Sequence, residues 1–156
     1  MHRRRLSIYL NDRDAILVAG NELATRSLGA NEHQHYGPPL KAVADGLTED
    51  RELLRAIMNE HDVTPDRVKT SFAWVGEKLG RLKPNDQLSG YSPLSRVVEL
   101  DGLTAIVTTM ASTWAALPTV LDTHGPEVEH AEKRARSSLD QLQTLRVDAL
   151  RDALVS

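Results

Sequence analysis

Four stretches of this chain hold apolar residues at alternating three- and four-residue spacing for about 24 to 29 residues each, roughly 36 to 43 Å at about 1.5 Å per residue. Helices that long can hide their apolar stripes only by lying side by side, which restricts the chain to helix-on-helix packing. The first stretch, about Arg5 to Leu28, places Leu6, Tyr9, Leu10, Ile16, Leu17, Leu23 and Ala24 on one side, with Gly29 as its stop. The second opens at Pro38-Pro39 and carries Val43, Leu47, Asp50, Leu54, Ile57 and His61. A later one opens at Ser92-Pro93, with Val97, Val98, Leu100, Leu103, Ile106, Val107, Met110, Trp114 and Leu117; so broad an apolar face predicts the most buried helix. The last opens at Gly125-Pro126 and runs through Val128, Ala131, Ala135, Ser138, Leu142, Leu145 and Ala149. A shorter helix, about residues 65–83, follows Thr64-Pro65-Asp66, with Val68, Phe72, Val75, Leu79 and Leu82 as its seam and Pro84 as its end.

The connections supply the topology. Residues 29–37 and 118–124 are short loops, so the helices they join are antiparallel neighbours. About 30 residues separate the two pairs, far above the usual connection length and enough to travel the length of a bundle. The expected fold is all-α: a ferritin-like up-down four-helix bundle, one domain over residues 1–156, with a helical crossover between the second and third long helices. The alternative is a plain five-helix bundle. Scarce aromatic residues and a predominance of Leu, Ala and Val agree with helix packing.

Charge and composition narrow the function classes. There is no cysteine, which excludes disulfides, thiolate metal sites and cysteine nucleophiles and fits a reducing cytoplasm. A net charge of -3 argues against broad nucleic-acid or membrane affinity. The basic run His2-Arg3-Arg4-Arg5 is followed by no apolar signal region and reads as a solvated terminus rather than a phosphate or lipid contact. The most apolar window, residues 102–117, is too short and too rich in Thr and Ser to span a membrane. A soluble cytoplasmic protein is the expectation.

Two segments match Glu-x-x-His, the ligand pair of carboxylate-bridged di-metal bundles: Glu32 to His35 and Glu127 to His130. Random placement gives about 0.4 such matches. The first falls in the loop after Gly29, where helical spacing has no meaning. The second occupies a first helical turn, with His130 roughly 130° from the seam beside Arg134. Glu127 and Glu129 there complement the helix dipole. His33 and His35 alone form the weaker metal reading, an exposed polar loop being preferred. No cofactor is expected; a transition metal is the alternative.

Charges on the seams are the sharper anomaly. Asp50 stands between Leu47 and Leu54, and Arg13 between Leu10 and Ile16. A lone buried ion costs several kcal/mol, so each needs a partner. Arg13 and Asp50 lie roughly 24 and 20 Å from the loop joining their helices at about 1.5 Å per residue, which makes them the simplest pair. Arg13, Glu22, Glu49, Asp50 and Glu99 together form the expected interior polar cluster, read as a structural ion network in preference to a metal or proton site. A second candidate, an anion or partner site beside a helix N-terminus, comprises Arg81, Lys83, Tyr91, Ser92 and Arg96. No phosphate-binding glycine loop or zinc signature is present.

The segments YLND (9–12), EDRELL (49–54), AWVGEKLGRLK (73–83) and GYSPLSRVVEL (90–100) resemble a group of bacterial, typically actinobacterial, helical proteins of ferritin-like fold. The resemblance covers most of the chain and is most specific from Ala73 to Leu100. It implies the bundle fold and no particular activity. The pattern of that group has a His where this chain has Arg13, a departure that speaks against a metal there. The functional expectation is a non-catalytic interaction or ligand-binding module, with a metal-binding or oxidoreductase bundle using interior carboxylates as the alternative. Homo-oligomerisation through an exposed strip of the third or fifth helix is a further reading.

Overall fold

Proline, serine and glycine set where the helices begin. In the computed structural model, which describes residues 2–66 and 91–155, α1 spans Arg3–Asn31, α2 Gly37–Glu60, α3 Pro93–Ala116 and α4 Gly125–Leu154. Proline occupies the first positions of α2, α3 and α4, where its missing N–H is no loss. Ser92 caps α3, its hydroxyl accepting from the Ser95 N–H at 3.1 Å, as the Ser-Pro signal predicts. The expected crossover helix, about residues 65–83, lies outside the described residues except for Pro65 and Asp66, which are not helical.

One helix end differs from expectation. Gly29 does not stop α1, which continues to Asn31. The Asn31 amide donates to the Ser27 carbonyl at 2.7 Å, and the turn closes behind it through Gln34 N–H to the Asn31 carbonyl at 3.0 Å. A glycine costs a helix only about 1 kcal/mol, less than these bonds and the packing behind them supply. The loop is therefore residues 32–36, and the histidines of the Glu32-His35 motif lie in it, exposed, as expected.

The four described helices pack as two antiparallel pairs, α1 with α2 and α3 with α4, and the pairs meet through α1 against α3 and α2 against α4. α3 starts beside the end of α1, where Arg96 meets Asn31, whereas α2 ends beside the start of α4, where Glu60 meets His124. The end of α2 and the start of α3 thus lie at opposite ends of the bundle. Asn11 holds the chain as it leaves α2: its amide donates to the Thr64 carbonyl at 3.2 Å, and its oxygen accepts from the Asp66 N–H at 2.6 Å.

The stripes read from the sequence form the core. Leu10, Leu17, Leu23, Leu47, Leu54, Ile57, Leu100, Leu103, Met110 and Trp114 are all buried, and the buried set of α4 is Val128, Ala131, Ala135, Ser138, Leu142, Leu145 and Ala149, the predicted seam. Leu6, Tyr9 and Ile16 pack at its edge. Hydroxyls along α3 return to their own backbone, Thr104 to Leu100 and Thr113 to Thr109, so this Thr-rich helix brings few unmatched polar groups into the interior. Among the described residues no helix is long and apolar enough to cross a membrane. Small residues bring α1 and α3 together: a Cβ on Gly20 would stand 2.9 Å from Ile106 Cγ2, and one on Gly102 the same distance from Leu23 Cδ2.

Candidate functional site

The interior charges form three separate sites instead of one cluster. The first belongs to α1 and α2. Its acid is Asp14, 5 % exposed, which accepts from Arg55 through Nε at 2.8 Å and Nη2 at 2.7 Å, and from Arg51 Nε at 3.2 Å. Two parallel N–H bonds to one carboxylate give this pair both strength and a fixed geometry. Arg13, the residue singled out from the sequence, is half-buried with its guanidinium 4.6 Å from the centre of the Tyr9 ring. Successive helical residues differ by about 100° in direction, and it is Asp14, at spacing four from Leu10 and three from Leu17, that faces inward. The expected Arg13–Asp50 pair does not form.

Asp50 anchors the second site, on the opposite side of α2. Its Oδ2 accepts the Trp114 indole N–H at 3.1 Å, and its Oδ1 is met by Nη2 of Arg134. Arg134 also reaches the exposed Glu49, Nη1 to Oε2 at 2.8 Å, while its own Nε is buried without an acceptor. The guanidinium lies across Gly46, where a Cβ would stand 3.3 Å from Arg134 Cδ. Burial raises the Asp50 carboxyl above its ordinary value; the Trp114 and Arg134 contacts oppose that rise, and Glu49 adds slightly to it. Beside this site an open groove of about 450 Å³ is lined by Glu49, Glu52, Glu127, His130 and Arg134. His130 is exposed, as the helical geometry predicts.

The third site lies at the end where α3 begins. Buried Arg96 donates through Nε to Asn31 Oδ1 at 2.7 Å, through Nη2 to Gln34 Oε1 at 2.9 Å and through Nη1 to Asp152 Oδ2 at 3.3 Å. Its guanidinium rests 4.3 Å from the centre of the Tyr36 ring and 5.8 Å from that of Tyr91. The Tyr36 hydroxyl donates to Asp152 at 2.8 Å, and the Tyr91 hydroxyl donates to Glu99 Oε2 at 2.7 Å while accepting from Asn31 at 2.9 Å. Glu99 is 1 % exposed. Arg26 Nε lies 3.1 Å from its other oxygen, yet that oxygen receives no directed hydrogen bond, so the contact is charge proximity alone. Burial pushes both phenols up to about 12; Asp152 adds to the rise at Tyr36, and Glu99 adds to it at Tyr91 against the opposing Asn31 bond.

Of the residues expected in one interior cluster, Asp50 and Glu99 are buried in different sites, Glu49 sits at the rim of the second, Arg13 at the edge of the core, and Glu22 is exposed. Of the expected anion site, Arg81 and Lys83 lie outside the described residues. Ser92 caps α3, and Tyr91 and Arg96 turn inward, so the Arg96 cation is engaged by the chain itself. His33 and His35 are exposed; His35 Nε2 stands 3.8 Å from Asp148. Among the described residues no three His, Asp or Glu side chains gather where they could hold a metal ion.

Comparison of the chain with protein-family models, with curated proteins and with solved structures finds no match.

Asp14, Asn31, Tyr36, Arg134 and Asp152 were not singled out from the sequence. Two of them carried a readable signal. Asp14 continues the Leu10–Leu17 spacing, and Asp152 continues Leu142, Leu145 and Ala149 at three- and four-residue steps, the same mark of a charge on a seam that singled out Asp50. Arg134 lies on the flank of its seam, three residues after Ala131 and four before Ser138, and its long stem carries the cation to Asp50.

Proposed function

We propose that this chain is a non-catalytic, cytoplasmic interaction or ligand-binding module built on a ferritin-like bundle. What carries the reading is that the buried carboxylates are engaged from within, Asp14 by Arg51 and Arg55 and Asp50 by Arg134 and Trp114, while Glu99 is bonded by Tyr91 at one oxygen and has Arg26 beside the other. A di-metal centre needs carboxylates converging on a shared point with lone pairs to give. Here both oxygens of Asp14 and Asp50 face guanidinium or indole donors, one oxygen of Glu99 faces a phenol, and an arginine stands beside each of the three acids. Such pairs hold helices at a fixed height against each other and do no chemistry on a substrate. The ferritin-like part of the proposal rests on the two antiparallel pairs and on α2 ending at the far end of the bundle from the start of α3.

Elemental analysis of protein purified without a histidine tag tests this. The expected result is no stoichiometric transition metal. A stoichiometric metal, lost on replacing Glu49, Asp50 or Glu99, overturns the proposal in favour of a metal-binding or oxidoreductase bundle. Light scattering at working concentration tests the homodimer version of the interaction reading, and a monomer ends that version.

A further inference from the structure

The first turn of α1 breaks a rule that α4 obeys. It holds Arg3, Arg4 and Arg5 with no acidic residue and no side-chain cap, whereas α4 has Glu127 in its first turn. Cations at the positive end of a helix are unfavourable unless negative charge comes close. None of the three arginines has an ion-pair partner among the described residues, and all three are exposed.

Two of them border a cavity. Arg3, Arg4 and Ser7 line a space of about 350 Å³, closed on the other side by residues 60–63 at the end of α2. Ser7 stands four residues after Arg3 and three after Arg4, so the three side chains share one face of the helix. His61 lines the same space. Leu6 and Val63 add a small apolar wall. The acids at the cavity are Glu60 and Asp62. Glu60 is already held elsewhere, its Oε2 accepting from the Thr123 hydroxyl and lying 3.1 Å from His124 Nε2. Asp62 is exposed, on a left-handed turn with φ 56°.

We infer that this cavity binds a soluble phosphate monoester. Arg3 and Arg4 take the phosphate oxygens, the Ser7 hydroxyl supplies a further donor, and Leu6 and Val63 meet the first carbons of the ester. Two guanidinium forks together with the Ser7 hydroxyl offer more donors than the roughly four lone-pair sites of a carboxylate take up, which favours the doubly charged, three-oxygen phosphate. The inference rests on the ligand-binding reading above and gives it a place and a chemistry. The two fail separately, because metal content tests the first and phosphate titration the second.

The experiment is calorimetric titration of the full chain with inorganic phosphate and with glycerol 3-phosphate, alongside co-sedimentation with phosphatidylcholine vesicles with and without phosphatidic acid. Saturable one-to-one binding of the soluble probes is expected, weakened about tenfold or more in the Arg3→Ala/Arg4→Ala double variant. Circular dichroism confirms that this exposed pair of replacements leaves the bundle folded. Arg5→Ala removes one charge from the same turn without touching the cavity and is expected to cost less than about twofold, whereas Arg3→Ala and Arg4→Ala, which also remove one charge each, are expected to cost about fivefold or more apiece. Equal losses in Arg5→Ala and in the single Arg3→Ala and Arg4→Ala variants overturn the inference, since a diffuse basic turn would then explain the binding. No binding of the soluble probes overturns it too, as does binding only to phosphatidic acid vesicles, which would mark a lipid headgroup as the source.

Discussion

Trp114 on α3 donates its indole N–H to the buried carboxylate of Asp50 on α2 at 3.1 Å, joining the two helices that face each other across the bundle's diagonal. A tryptophan at the heart of an aromatic-poor core is thus a polar anchor as well as a space filler. Arg134 completes the arrangement from α4, and with it come the first consequences.

Arg134→Leu leaves Asp50 buried with only the indole for a partner, and a stability loss of about 3 kcal/mol at pH 7 is expected. The loss shrinks at lower pH. Burial raises the Asp50 carboxyl, so the folded chain takes up its proton at a higher pH than the unfolded chain. Stability through this group therefore falls as pH rises above the ordinary carboxylate range, and removing Arg134 steepens that fall. Urea unfolding at pH 5 and pH 7 measures both values; equal losses would count against the assignment.

Arg96→Lys keeps the charge and loses the fork. Asn31, Gln34 and Asp152 cannot all be reached by one ammonium, and the flat contact with Tyr36 goes as well. A cost of about 2 kcal/mol is expected by thermal or denaturant unfolding. A substitution within about 0.5 kcal/mol of neutral would show that the network adds little.

The phenols give an optical test. The chain has three tyrosines, and Tyr36 and Tyr91 both titrate near pH 12 when folded. Unfolded, each titrates near pH 10, so their contribution to stability is intact below about pH 10 and is lost on the way to pH 12. Absorbance at the phenolate band should show two groups ionising late, together with loss of helical signal. Early ionisation of both in folded protein would falsify the buried network.

Gly20→Ala and Gly102→Ala separate two close approaches of equal length. At Gly20 the obstacle is Ile106 Cγ2, on a β-branched side chain with little freedom, while at Gly102 it is the flexible tip of Leu23. Each alanine brings about 1 kcal/mol of helix propensity. Gly20→Ala should therefore destabilise by about 1 kcal/mol net, and Gly102→Ala should be neutral or stabilising. Melting curves of the two variants decide it, and the reverse order would refute the packing argument.

The four long helices and their seams were legible because helix periodicity and cap chemistry are local. Ser92-Pro93 and Gly125-Pro126 marked helix starts, and the α4 seam could be read residue by residue from Val128 to Ala149. The ion partners were not legible to the same degree. Arg13 and Asp14 differ by one position, yet that step turns a side chain by about 100° and separates an ion at the edge of the core from one inside it. Pairing Asp50 correctly required knowing that α4 lies on its other side, a tertiary fact that no spacing within α2 contains. Tyr36, in a loop of polar residues, offered no periodicity by which its complete burial could be foreseen.

The small residues of α4 give a consequence of their own. Ala131, Ala135 and Ser138 present a smooth surface that its neighbours would meet almost as well after a slide of one turn, about 5.4 Å. Arg134 and Asp152 lie on that same helix, roughly 27 Å apart at about 1.5 Å per residue, and clasp Asp50 on α2 and Arg96 on α3. Such a slide opens both clasps together, leaving Asp50 with only the Trp114 indole and Arg96 without an anionic partner. α4 therefore has one seat in the bundle, marked by two charged teeth that flank the smooth part of its rail.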